Sequence, residues 1–288
     1  MRVAALVLAL LAVAGCTPRA ADLGPIPDRT ARREALRQAG TFATVLSRPA
    51  TVDALAVYDV AILEPEHYTV EDLRALRQRG VLTLGYVNIG EVEAYRDFAD
   101  QVDPAWVLGE NPRWPGHKFV DAREAGWREL VVGTAAARVV AREFDGLFLD
   151  MADVAAPGVF PETEDGVVAV IEAIREAYPT HALVMNRGLF LLERVGEAVD
   201  GLLVEGVWAR YDAAQGTYRQ TVPAERDRLL QTLLGFRDGG GAALVIDYAD
   251  TDALADYARA EAAAAGLPIF VGTLTLADTP PPPDLGVD

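Results

Sequence analysis

The chain has little to crosslink or chelate with: of its 288 residues one is cysteine, Cys16, and three are histidine. A lone thiol excludes any disulfide within the chain. His67, His117 and His181 fall in a loop, an extended segment and a helix-to-strand turn, and none stands in an H-E-x-x-H motif or beside a cysteine. A catalytic zinc site is therefore disfavoured. Basic charge is scarce too. Lys plus Arg number 26, with Lys118 the one lysine, against 43 Asp plus Glu, for a net charge of −17. That balance argues against nucleic acid as a partner, because phosphate contacts need clustered basic side chains. No G-x-G-x-x-G follows an apolar run and no G-x-S-x-G occurs. A dinucleotide-binding fold and a serine hydrolase both lose their main support, and no cofactor is expected. What is present is 51% hydrophobic and 24% charged residues, enough for a sizeable core.

The two ends of the chain differ from its middle. Met1 to Gly15 holds Arg2, an apolar run from Val3 to Val13 and two small residues, the pattern of a secretory signal. The run is too short to span a bilayer, which takes about 20 apolar residues. Val13-Ala14-Gly15-Cys16 resembles a bacterial lipobox, in which the cysteine becomes a lipidated N-terminus. Residues 16–40 then read as the lipidated Cys16 and a tether, apart from a short helical piece at Arg32 to Gln38. The expectation is an exported lipoprotein of the cell envelope, held to a membrane by its lipid alone and facing the periplasm or exterior. Residues 279–288, with Pro280 to Pro283 in succession, read as a disordered tail. The folded unit is then 41–278.

Within that unit one pattern recurs, a short apolar run closed by a polar residue. It ends at Glu64, Asn88, Asp150, Asn186, Glu205 and Asp247. Continuous apolar runs of this length suit parallel strands buried on both faces. Phe42 to Ser47 and Ile269 to Thr273 bring the strand count to eight. Helical signals fill most gaps: Val70 to Arg79 capped by Thr69, Arg123 to Glu143, a helix opened by Pro161 to Asp165, Ala224 to Arg237 behind Pro223, and a last helix capped by Asp250 or Thr251 and closed by Gly266. Gly235 to Gly241 is expected as a helix-to-strand turn. Strands alternating with helices eight times predict a single-domain α/β protein, a (β/α)8 TIM barrel.

In such a barrel the polar closing residues converge at the carboxyl ends of the strands, where active sites lie. Two carboxylates facing one cleft are what glycoside hydrolysis needs, and Asp150, Glu205 and Asp247 are the candidates. Tyr86, Tyr95, Trp208, Tyr211 and Tyr248 fall at or just past strand ends and offer faces for sugar rings. Asp150 with Asp153 is also a conceivable pair for a hard cation.

Four motifs sharpen this. GYVNIGEVEAYR (Gly85 to Arg96), FDGLFLDMAD (Phe144 to Asp153), MNRG (Met185 to Gly188) and VEGVW (Val204 to Trp208) together resemble the motif set of the family 114 glycoside hydrolases, endo-α-1,4-polygalactosaminidases. The resemblance runs from about Phe42 to Leu276. It implies a TIM barrel that cleaves α-1,4-linked galactosamine polymers, with Asp150 as nucleophile and Glu205 as general acid/base. The sequence differs from the family pattern at Met151 and Met185, where Asn is frequent.

The remaining residues take supporting roles. Glu64, Tyr86, Asn88 and Glu91 are expected to hold hydroxyl or amino groups of a sugar, and Asp153, Asn186, Asp247 and Tyr248 to do so from the opposite rim. Arg96 would orient Glu91 or Glu93, and Trp208 would stack on a ring. The expected partner is an amino-sugar polysaccharide. The competing reading is a surface lipoprotein that keeps the barrel and binds glycans without cleaving them.

Overall fold

The computed structural model describes residues 28–276. The signal segment, Cys16 and the Pro280 to Pro283 tail lie outside the described residues. All eight expected strands are present, with additional short ones. β1 (Phe42–Val45), β2 (Val60–Leu63) and β3 (Leu82–Asn88) are followed by β4 (Glu91–Glu93), β5 (Val107–Glu110) and β6 (His117–Val120), an antiparallel sheet of their own. β7 (Gly146–Asp150), β8 (Ala182–Asn186) and β9 (Gly201–Glu205) resume the main sheet. A hairpin, β10 (Ala209–Asp212) and β11 (Thr217–Gln220), precedes β12 (Ala242–Tyr248) and β13 (Ile269–Gly272).

The order β1-β2-β3-β7-β8-β9-β12-β13 is parallel throughout. Its two ends approach each other, with the rings of Phe42 and Phe270 meeting at 6.3 Å across the seam. This is a (β/α)8 TIM barrel. Each strand buries both faces, which is why the runs are apolar without alternation. Ile62, Leu84, Phe148, Val184, Leu203 and Leu244 fill the interior, while Leu63, Val87, Leu149, Met185, Val204 and Val245 pack outward against the helices.

The helices follow their caps. Thr69 and Asp72 exchange bonds in a capping box at the head of Val70–Gln78, Pro223 opens Pro223–Asp238, and Thr251 and Gly266 bound Asp252–Ala265. The long helix expected over Arg123 to Glu143 starts later, at Ala125, and is broken by a π segment, Val131–Ala136. Just before it, the Asp121 carboxylate is held by the backbone and guanidinium of Arg123.

A larger departure lies at the start of the barrel. The piece expected at Arg32 to Gln38 is a helix over Arg29–Gln38, with Asp28 as its N-cap. Leu36, only 1% exposed, packs with the barrel interior, and Arg29 donates to Asp200 at 2.7 Å. Arg32 and Arg33 bond the carbonyls of Thr180 and Gly240. This segment closes the amino end of the barrel and is not tether.

Candidate active site

Strand parity decides which polar residues face the mouth. Along β3, β8, β9 and β12 the inward residues are Leu84 and Tyr86, Val184 and Asn186, Leu203 and Glu205, Ile246 and Tyr248, and along β7 Phe148 is followed by Asp150. Five adjacent barrel strands therefore present Tyr86, Asp150, Asn186, Glu205 and Tyr248 side by side.

They are bonded into one array. The Asn186 amide nitrogen donates to Asp150 Oδ1 at 2.8 Å and to Glu205 Oε1 at 2.7 Å. Two oxygens on one nitrogen can be no farther apart than these two bonds laid end to end, about 5.5 Å. The second oxygen of each acid is held by a phenol: Tyr86 donates to Asp150 Oδ2 at 2.9 Å and Tyr248 to Glu205 Oε2 at 2.9 Å. Asn186 leaves its own Oδ1 buried and without a hydrogen-bond partner. Burial pushes the Asp150 carboxyl above its ordinary value, against the donors Asn186, Tyr86 and the Met151 backbone, which favour the charged form. Burial and the neighbouring carboxylates hold both phenols well above theirs, so Tyr86 and Tyr248 keep their protons to donate.

The profile of the glycoside-hydrolase family GH114 matches residues 26–280. The chain belongs to glycoside-hydrolase family 114. The glycoside hydrolase domain of PelA from Pseudomonas aeruginosa superposes with a TM-score of 0.75 and 25% identity over 85% of this chain and 98% of that one. Aspergillus fumigatus Ega3, solved in complex with galactosamine, shares the fold at TM-score 0.67 with 13% identity, over 87% of this chain and 94% of that one. A relative of uncharacterised function from Thermotoga maritima is 27% identical over 65% of this chain, and the match spans 61% of the relative's own length.

In this family 114 chain the other sequence-derived site residues divide sharply. Asp247 does not face the mouth. It lies on the outward side of β12, 0% exposed, and accepts the backbone N–H groups of Val207, Trp208 and Ala209. Burial raises its carboxyl to about 7 against those donors. Trp208 is 1% exposed, so neither face is free for a sugar, and it packs in the outer core. Asp247 and Trp208 therefore shape the loop after Glu205 and do not contact substrate.

Glu64, Asn88, Glu91 and Arg96 are likewise committed within the protein. Arg96 places its two terminal nitrogens on the two oxygens of Glu64, at 2.6 and 2.9 Å, and its Nε on Glu93. It does not bond Glu91. Asn88 gives its amide hydrogens to Tyr86 and Glu93 and accepts from the backbone of Gly90 and Glu91. Glu91 is buried between Asn111 and His117. A buried charge needs full pairing, and this network supplies it, leaving these groups as supports beneath the mouth rather than open sugar ligands.

Asp153 is the exception, since it stays partly exposed and pairs with Arg187 at 3.2 Å. Burial, which works downward on Arg187, is outweighed by the carboxylates of Glu205 and Asp153, so the guanidinium stays charged at the rim. Arg187, Asn111 and His117 were not among the expected site residues. Arg187 sits within MNRG directly after Asn186, and that adjacency was the available signal. Among the described residues, no three His, Cys, Asp or Glu side chains converge as metal ligands would.

Proposed function

We propose that this family 114 protein is an endo-acting, retaining hydrolase of α-1,4-linked galactosamine-containing polysaccharide. The observation that carries this reading is the Asn186 bridge, which keeps the facing oxygens Asp150 Oδ1 and Glu205 Oε1 no more than about 5.5 Å apart. Retaining glycosidases need roughly 5–5.5 Å between their carboxyl groups, whereas inverting ones leave about 6.5–9.5 Å for a water. The galactosamine bound to Ega3 supports the substrate class. An acidic chain also suits a polymer of free amines.

In this mechanism Asp150, ionised, attacks the anomeric carbon while Glu205 gives its proton to the departing glycosidic oxygen. The result is a glycosyl ester on Asp150 and a free sugar hydroxyl. Glu205, now a carboxylate, takes a proton from water as that water attacks the same carbon. The ester breaks, the sugar leaves with its configuration retained, and both acids return to their starting forms. Tyr86 and Asn186 hold the nucleophile, and Tyr248 and Asn186 hold the acid/base.

The test is incubation with partially deacetylated α-1,4-galactosamine polymer, followed by mass analysis of products and NMR of the first anomer released. Oligosaccharides in the α form are expected, and β-anomers would overturn retention. Asp150→Asn should abolish turnover. Glu205→Gln should lose roughly 10²- to 10⁴-fold on natural linkages yet cleave an activated aryl glycoside with azide rescue. Recovery of a configuration-retained glycosyl azide from the Asp150 variant instead would reverse the roles. We propose also that Cys16 is lipidated and anchors the protein to a membrane. Cys16→Ser should then move it to the soluble fraction, and an unchanged membrane fraction would refute the anchor.

A further inference from the structure

The small sheet of β4, β5 and β6 carries three rings that the mechanism above leaves unused. Tyr95 follows β4, His117 opens β6, and Trp114 lies in the 111–116 loop between β5 and β6. Tyr95 is 61% exposed and Trp114 40%, whereas of the other three tryptophans Trp127 and Trp208 are fully buried and Trp106 partly so. Both exposed rings turn toward the same imidazole, with centroids 6.4 Å and 6.3 Å from that of His117. Aromatic surface left open to water forgoes burial, so a rimmed cluster of it marks a contact site more often than chance does.

The cluster is held rigidly from beneath. The Arg96 guanidinium lies 4.8 Å from the Tyr95 ring centre, and Arg96 is itself fixed by Glu64 and Glu93. His117 is anchored by Glu91 at 3.2 Å. The loop is pinned by Pro112 and Pro115 and by backbone bonds from Trp114 to Asn111 and from His117 to Trp114. A platform ordered in advance loses little entropy when a ligand lands on it.

The same arginine joins the platform to the catalytic centre. Arg96 lies 5.7 Å from the Tyr86 ring, whose hydroxyl bonds Asp150. The Tyr86 and Tyr95 ring centres are thus at most about 10.5 Å apart, a span that one oligosaccharide can bridge. Beside Tyr95, Glu66 offers a half-exposed carboxylate 3.7 Å from Arg96. Apolar ring faces next to an acid match the C–H face and the amine of an amino sugar.

We propose that Tyr95, His117 and Trp114 form a subsite that binds an amino-sugar residue of the polymer remote from the bond being cleaved, stacked on the rings with its amine toward Glu66. The inference rests on the substrate reading above and assigns where that substrate is gripped. It predicts that affinity depends on chain length.

The experiment uses Asp150→Asn protein, which binds without turnover, titrated by calorimetry with galactosamine oligosaccharides of increasing length. Affinity should climb with length and then level off. Adding Tyr95→Ala and Trp114→Ala should cost about tenfold or more on the long oligosaccharides and leave the monosaccharide within about twofold. Trp114→Phe, which keeps a ring, should restore much of the loss. Equal long-chain affinity with and without the rings would overturn the subsite alone. No binding at any length would overturn the substrate reading and the subsite with it. A change in sedimentation of the double variant without a change in binding would assign the rings to self-association instead.

Discussion

Asn186 is the residue on which the geometry of the pair turns. An amide nitrogen has two hydrogens set apart in one plane, so a single side chain can hold two carboxylates at a fixed spacing. Each acid then has one oxygen on this amide and one on a phenol. Tyr86 gives a prediction with a definite sign. Its hydroxyl bonds the charged form of Asp150 and so opposes the upward push of burial. In Tyr86→Phe the Asp150 carboxyl should rise further, and since the mechanism proposed above needs Asp150 ionised, the acid limb of the pH profile of kcat/KM should move to higher pH. The loss of a bond to a charged group should also lower kcat/KM about 10- to 100-fold at the optimum. An acid limb that stays in place or moves to lower pH would remove Tyr86 from this role.

At the scale of the element, β7, β8 and β9 end in the same way. Asp150, Asn186 and Glu205 are each followed by a residue in the left-handed region: Met151 at φ 63, Arg187 at φ 59 and Gly206 at φ 72. The chain swings away sharply after each of these side chains, and only the third position has glycine to do it without strain. At such a position Asn tolerates the conformation better than other side chains with a Cβ. Met151→Asn should therefore leave stability unchanged or raise it by up to about 1 kcal/mol, while β-branched Met151→Val should cost about 1–2 kcal/mol. Denaturation midpoints would decide, and a Val variant more stable than the Asn one would contradict the strain.

The loop after β9 depends on β12 in a similar way. Asp247 accepts three consecutive backbone N–H groups, and Asp247→Asn would turn amide hydrogens toward those donors. A loss of about 1–3 kcal/mol is expected in thermal or chemical denaturation, with reduced kcat because Glu205 lies just before the loop. A variant with wild-type stability would show that the loop holds without this carboxylate.

On the scale of the whole molecule the helix Arg29–Gln38 belongs to the barrel. Leu36 enters its interior, and Arg29 and Arg175 both close on buried Asp200. A protein beginning at Thr41 should be strongly destabilised relative to one beginning at Asp28. Leu36→Ala alone should cost about 2–4 kcal/mol, the range for truncating a buried leucine. Equal midpoints for the two truncated proteins would return this segment to the tether.

Much of this protein was legible in its linear sequence, because strands buried on both faces must be apolar throughout and helices must cap their ends. The eight runs, the barrel they imply and the motifs around Asp150, Asn186 and Glu205 follow from that. Parity was legible too: Ile246 and Tyr248 lie inward on β12, so Asp247 between them points out. The strand runs one residue past the polar group that closes its apolar run, which sets Asp247 out of phase with Asp150 and Glu205. What the tertiary structure alone decided is which polar groups are spent on each other. Glu64 and Arg96 are 32 residues apart, Glu91 and Asn111 20, and Asn186 and Asp150 36, separations that no local pattern encodes. Pairing of buried charges depends on distance in space, and the closure of the barrel sets that distance.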